Sequence, residues 1–318
     1  MKNIIENKQH TPVMLTEALT GLNIKPDGIY IDGTFGRGGH SLAILNKLNN
    51  NGRLLVIDLD PDAIAVANKL QTIDQRVSVF HGSFSQIKEI CQQANLINID
   101  GILLDLGISS AQLADSTKGF SFSNDGPLDM RMDNTKGEPA YKWLDTATQE
   151  EIIKILREYG QERFAKKIAE SIIKARTIKP ITTTFALVEI IKKSCPQSYA
   201  RFKHPATRTF QAIRIFVNKE LLSLQQTLPQ IMQLLAMHGR LVVISFHSLE
   251  DIIVKKFINQ HSVDALSNNY AIRKFPAINV NTDHIKLKKI GRYKTSAGEI
   301  KNNNRSRSAI MRVAEKCA

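Results

Sequence analysis

Nine residues, Asp32-Gly33-Thr34-Phe35-Gly36-Arg37-Gly38-Gly39-His40, set an acid and four glycines directly after the β-branched and aromatic run Ile29 to Ile31. Glycine has no Cβ and tolerates positive φ, so such a loop lets backbone approach a bound nucleotide closely. Asp58 closes the next apolar run, some twenty residues on, where a carboxylate can accept both hydroxyls of an adenosine ribose. Asp105 ends a further run in Leu103-Leu104-Asp105-Leu106-Gly107-Ile108-Ser109-Ser110, at the edge where ligands of open α/β sheets bind. A carboxylate there can hold the N–H of a base's exocyclic amine, a poor nucleophile because its lone pair is delocalised into the ring. It can equally cap the turn that follows.

Nucleotide cofactors of two kinds fit this layout, and the loop separates them. The pyrophosphate fingerprint wants G-x-G-x-x-G, but Gly36-Arg37-Gly38-Gly39-His40-Ser41 puts Ser41 in the third glycine's place. Asp32 at the loop's start suits a ligand with a cationic amino-acid end. S-adenosylmethionine carries an ammonium and a sulfonium and has no phosphate for a helix N-terminus to hold, so the methyl donor is favoured over a dinucleotide. Methylation at carbon 5 of a pyrimidine would need a cysteine nucleophile, and none of Cys91, Cys195 and Cys317 lies at a strand end near the loop. The three cysteines show no C-x-x-C spacing, no ligand cluster implies a metal, and a reducing cytoplasm fits best.

His204-Pro205-Ala206-Thr207-Arg208-Thr209-Phe210-Gln211 and Ser245-Phe246-His247-Ser248 supply candidate substrate contacts. His204, Arg208 and His247 can meet RNA, although a lone histidine is more often structural. Phe210 can stack on a flipped base or fill a core. The net charge of +13 is concentrated: residues 160–214 hold twelve bases and three acids, and residues 255–318 fourteen bases and four acids. Two basic blocks beside an acidic remainder point to a polyanionic partner, with Arg163, Lys166, Lys167, Arg208 and Arg214 as candidate phosphate contacts.

The elements that must position these residues alternate. Strands are expected at 29–31, 53–57, 77–80, 101–106 and 240–245, with helices at 41–48, from Asp60-Pro61 to about Leu70, and at 84–93. That alternation implies a parallel sheet covered on both faces. More than a hundred residues separate the fourth and fifth strands. Ala114 to Pro139 reads as an ordered loop or lid, Glu150 to Arg176 and Thr184 to Lys193 as helical, and Ala206 to about Met237 as one long helix with a break near Pro229. The expected organisation is a discontinuous sheet domain, 1–113 with 207–318, and an inserted, mostly helical RNA-recognition domain, 114–206. No apolar run approaches the roughly 18 residues of a membrane span, so neither a signal peptide nor a membrane contact is expected.

With these residues in view, the chain resembles the ribosomal RNA small-subunit methyltransferase H family, also called MraW, from about His10 to Glu315. The likeness rests on His10-Thr11-Pro12-Val13, the Asp32 to His40 loop, Asp105 to Ser110, Gly126-Pro127-Leu128-Asp129-Met130-Arg131-Met132-Asp133, His204 to Gln211 and Ser245 to Asp251. The resemblance implies a class I (Rossmann-like) methyltransferase sheet carrying a helical substrate domain. It implies methyl transfer from S-adenosyl-L-methionine to N4 of a decoding-region cytidine in 16S RNA. It also implies donor contacts at Gly38, Gly39, His40, Asp58, Phe84, Asp105 and Gln112. The substrate would be small-subunit ribosomal RNA or the assembled small subunit, with a homodimer left open. The tail has Asn304 where a proline is expected, and the Asp105 segment lacks the D/N/S-P-P-Y/F box of many amino methyltransferases. Other readings are methylation of another RNA amino group, an NAD-type dehydrogenase, and a non-enzymatic ribosome-assembly protein that binds RNA without a donor pocket.

Overall fold

The computed structural model describes residues 12–196, 204–262 and 286–318; His10, Thr11 and part of the second basic block lie outside the described residues. Seven strands form one sheet in the order β3-β2-β1-β4-β5-β7-β6: β1 Ile29–Asp32, β2 Arg53–Asp58, β3 Val77–His81, β4 Ile99–Asp105, β5 Leu235–Ser245, β6 Leu287–Lys294 and β7 Ile310–Lys316. β1 to β5 are parallel, and their order reverses between β1 and β4. Such a reversal opens a crevice at the carboxyl ends of the two strands. Asp32 ends β1 and Asp105 ends β4, so both stand at that crevice. This is the expected Rossmann-like α/β architecture.

Alternation along the strands builds a core on each face. Tyr30, Leu54, Val56, Leu103, Val242 and Ile244 point to one side, where they pack with helices α1 Leu15–Leu22, α2 Gly39–Leu45 and α3 Pro61–Ile73. Ile31, Leu55, Ile57, Ile102, Leu104 and Val243 point to the other, under α4 Ile87–Gln93, α11 Glu220–Leu234 and α12 Ser248–Gln260. Strands buried on both faces read as continuous apolar runs, which is why the sequence declared them. An antiparallel β6–β7 pair completes the sheet; a final strand after the 302–308 tail was expected, but β6 was not. β6 reads Leu-Lys-Lys-Ile-Gly-Arg-Tyr-Lys and is mostly exposed, the composition of a protected edge strand and a weak apolar signal.

The described residues of Met1–Gly107 and Leu221–Ala318 form one compact unit, and those of Ile108–Glu220 form the other. The second unit contains α5 Ser110–Ala114, α6 Ala140–Thr146, α7 Gln149–Gly160, α8 Ala165–Arg176, α9 Thr184–Ser194 and α10 Ala206–Asn218 around their own core. Its 126–133 segment is a fixed loop: Asp129 takes two hydrogen bonds from the Arg131 guanidinium at 2.8 and 2.7 Å, and Asn218 bonds both to the Met130 carbonyl and from the Met132 N–H at 2.7 Å. The segment 150–176, expected to be helical, forms two helices separated at Gln161 in the left-handed region (φ 49°).

The long helix expected from Ala206 to Met237 is broken at Lys219 (φ 52°), and Pro229 lies inside α11. Lys219 closes α10 by donating its N–H to the Ile215 and Phe216 carbonyls. Pro229 stays helical because its neighbours Leu228 and Ile231 are buried on the sheet, and packing outweighs the local preference. Since proline removes an intrahelical hydrogen bond and crowds the preceding turn, Pro229→Ala should stabilise the protein by roughly 2–3 kcal/mol. A urea or thermal melt will read this; an unchanged or lower midpoint would mean that the bend itself is required.

Candidate active site

The first unit's site begins with a loop stitched across three strand ends. Gly33 N–H donates to the Leu103 carbonyl at 2.9 Å, and Asp105 N–H donates to Thr34 Oγ1 at 2.7 Å, joining the loop to β4. Phe35 N–H donates to the Ile57 carbonyl at 3.1 Å, and Gly36 N–H to Asp58 Oδ2 at 2.7 Å, joining it to β2. Gly36 and Gly38 have φ of 56° and 77°, where a side chain would be strained. Gly39 serves a different need: a Cβ there would stand 2.3 Å from Pro12 Cγ. The loop glycines therefore act through backbone conformation and close packing, and they hold the carboxylates where they are.

Those carboxylates are taken out of water together. Asp32 is buried, accepting from Thr34 N–H at 3.1 Å and Ser41 Oγ at 2.6 Å, and burial raises its pKa. Asp58 also accepts from Asp60 N–H at 2.8 Å, and burial pushes it up to about 6. Asp105 is the most perturbed. Burial raises its pKa well above the usual carboxylate range, and the charges of Asp32 and Glu250 add to this. Its Oδ1 is buried without a hydrogen-bond partner. Buried polar atoms normally have partners, so this oxygen is a candidate ligand acceptor.

His40 stands beside that carboxyl. Its Nε2 lies 3.1 Å from the Val13 carbonyl, which can only accept, so Nε2 carries the proton and Nδ1 presents a lone pair. Burial lowers the His40 pKa to about 4, which keeps the ring neutral. Nδ1 lies 3.6 Å from Asp105 Oδ2, beyond hydrogen-bond reach. A neutral ring offers no cation to an ionised Asp105. Among the described residues no cation is paired with Asp105.

His247 belongs to the same unit, with Nε2 3.1 Å from Glu250 Oε1. Glu250 is 2% exposed and accepts from the Phe246 and His247 N–H groups at 2.8 and 3.3 Å. The sequence reading missed Glu250 and Thr34 as site residues. Glu250 could have been found from its place three residues after His247, the spacing of a capping box. Phe84 opens a short 3-10 turn after β3, and its Cβ would lie 3.5 Å from a Cβ built on Gly33. The structure thus gathers Gly38, Gly39, His40, Asp58, Phe84, Asp105 and His247 in one unit.

The other expected contacts lie in the second unit. Gln112 is buried and closes the capping box of α5, its Oε1 accepting from Ser109 N–H at 2.8 Å. His204 stacks on Phe122 with ring centroids 4.5 Å apart. Phe210 is a core residue, 4% exposed and edge-on to Phe122, so its ring fills the helical core instead of offering a face to a base. Arg208 donates to the Gln161 carbonyl at 3.0 Å. Arg214 is engaged by Glu220 through two bonds of 2.8 Å, which removes it from the candidate phosphate contacts. Arg163, Lys166 and Lys167 are exposed near the start of α8.

A carboxyl group held this way costs stability. Asp105→Asn removes a desolvated acid that the charges of Asp32 and Glu250 crowd, so the ligand-free variant should melt higher at pH 7.5, by on the order of 1–2 kcal/mol. Calorimetry on the purified variant checks this; a lower midpoint would mean that the carboxylate is a structural anchor.

The chain resembles known proteins along most of its length. A family model described as the MraW methylase family matches residues 7–317. The ribosomal RNA small subunit methyltransferase H of Coxiella burnetii (strain Dugway 5J108-111) is 50% identical over 309 residues, which cover 96% of this chain and 98% of that protein. The protein of the same name from C. burnetii (strain RSA 493 / Nine Mile phase I) matches to the same extent. Among solved structures, an rRNA methylase from Streptococcus thermophilus aligns at a TM-score of 0.42 and 9% identity, covering 95% of each chain. Matched by the family model nearly end to end and half identical to these relatives, the chain belongs to the MraW methylase family.

Proposed function

We propose that this methylase transfers the methyl group of S-adenosylmethionine to N4 of a cytidine in the decoding region of small-subunit ribosomal RNA, in the cytoplasm where subunits are assembled. The observation that carries the reading is Asp105: a half-buried carboxyl at the end of β4 whose Oδ1 is buried without a partner, within a group of acids paired with no cation among the described residues. The residues present suit the donor. A sulfonium and an ammonium offset the desolvated acids, the glycine loop leaves its backbone accessible, and no pyrophosphate motif competes. Bound there, S-adenosylmethionine supplies an electrophilic methyl group.

The chain's own residues then have distinct tasks. Asp58 accepts the ribose hydroxyls with the lone pairs left over from Gly36 and Asp60. Asp32, with both oxygens held by Thr34 and Ser41, acts through its charge. Asp105 accepts an N–H of the cytosine amine, orienting its lone pair toward the methyl group, and takes up the proton that the methylated nitrogen must lose to give neutral N4-methylcytidine. Direct transfer without a covalent enzyme intermediate fits the cysteines. Cys91 is buried in the sheet's core and Cys195 packs in the second unit, and burial pushes both thiols up to about 11, far from thiolates. Half-buried His204 and the exposed cations Arg163, Lys166 and Lys167 are RNA contacts in this reading, as the basic block around them suits a phosphate backbone. His247 is a further substrate contact in this reading: its Nε2 lies 3.1 Å from Glu250 Oε1, yet neither ring nitrogen makes a hydrogen bond among the described residues.

Transfer of labelled methyl to small subunits lacking the modification should yield labelled N4-methylcytidine on nucleoside analysis. A different labelled nucleoside would overturn the assignment of the atom, and no label despite donor binding would overturn the substrate.

Two further outcomes follow from the acids. Asp58→Ala should lower donor affinity at least tenfold by titration calorimetry while the protein stays folded; unchanged affinity would remove the ribose role. The raised carboxyl of Asp58 stabilises the ligand-free protein while protonated, fully below its ordinary value near 4, and this stability is lost as pH rises through about 6. The melting point without donor should therefore fall between pH 5 and 7, and the rise produced by donor should be larger at pH 7 than at pH 5. A donor-induced rise independent of pH would contradict this.

A further inference from the structure

The register of the last three strands brings the chain's C-terminal basic segment to the catalytic edge of the sheet. Asp105 is level with Ile244, Ser245 with Ile310, and Ile310 with Lys294. The connection from β6 to β7, residues 295–309, therefore crosses the same carboxyl edge that bears Asp32 and Asp105. It contains the short helix α13 Ala297–Asn302 and a 3-10 turn, Asn304–Ser308.

Its backbone is tied down. Thr295 Oγ1 donates to the Ser306 carbonyl at 2.6 Å, and Ser306, fully buried, donates through Oγ to the Asn303 carbonyl at 2.7 Å. Glu299 accepts from Met14 N–H at 2.8 Å, one residue from the Val13 carbonyl that fixes His40. Out of this anchored loop project Lys294, Lys301, Arg305 and Arg307, all exposed and none in an ion pair with another described residue. Arg312 and Glu315 of the neighbouring β7, by contrast, are paired with Asp251 and Arg240. Lys294, Lys301 and Arg307 stand in solvent, and Arg305, though exposed, has its pKa lowered by partial burial. A fixed array of like charges is repelled by itself and is stabilised by a polyanion.

We infer that the 294–307 connection is a docking surface for the phosphate backbone of the RNA next to the target nucleotide, separate from the basic residues of the helical unit. Phosphate contacts of this kind set register without reading sequence. The inference rests on the ribosomal RNA reading above.

The test is the triple variant Lys301→Gln, Arg305→Gln, Arg307→Gln in the full chain, read by fluorescence anisotropy on a single-stranded decoding-region RNA fragment across a salt series. Each lost phosphate contact lowers the slope of log affinity against log salt by about 0.7. The expected result is a slope shallower by about two, at least tenfold weaker binding near 0.1 M salt, and unchanged donor affinity and melting temperature. Unchanged RNA affinity and slope would overturn the inference, leaving these cations solvated or facing an acidic protein. If the unaltered protein binds neither this fragment nor small subunits lacking the modification better than a neutral control protein does, the ribosomal RNA reading fails instead, and this inference with it.

Discussion

Three strand ends must hold their carboxylates close together and away from water, and the arrangement of the first unit answers to that constraint. The charge of Asp32 raises the pKa of both Asp58 and Asp105, and each of the three loses hydration on burial. The loop from Gly33 to Gly36 opposes this by bonding to β4 on one side and β2 on the other. Those bonds are made by backbone N–H groups, which cannot titrate away. The carboxyls are therefore positioned by groups insensitive to the charge state they are meant to control.

Neutral His40 extends the same logic. A protonated ring would have set a cation 3.6 Å from Asp105 Oδ2, but burial holds the ring neutral. The Val13 carbonyl takes its one proton to Nε2. Since Met14, the next residue, is fixed by Glu299 from the C-terminal segment, the two ends of the described sequence meet at the acid cluster. Acids gathered with no paired cation among the described residues leave the empty protein less stable than it could be.

The helical unit is organised on different terms. Its core is apolar, and several of its sequence motifs turn out to be fastenings. Asp129 and Arg131 clasp each other, Gly126 is needed because a Cβ would stand 2.0 Å from the Ser116 carbonyl, and Phe210 lies in the core. Their chemistry-bearing residue types look the same in sequence as a binding motif.

Sequence alone determined what depends on local pattern. The parallel strands were legible because burial on both faces demands unbroken apolar runs, and Asp60-Pro61 announced a helix because the cap acts on the next residues, as the Asp62 N–H bond to Asp60 at 2.9 Å bears out. The glycine loop and the acids at strand ends pointed to a nucleotide-type donor for the same reason. Only the tertiary structure decided what depends on partners distant in the chain. That Phe210 and Arg214 are consumed by Phe122 and Glu220, that Glu250 joins the acid cluster, and that 295–309 shares an edge with Asp105 are all set by contacts across long separations. Burial and pairing, which settle whether a polar side chain is free to do chemistry, are properties of the packed molecule, and residue type or spacing does not carry them.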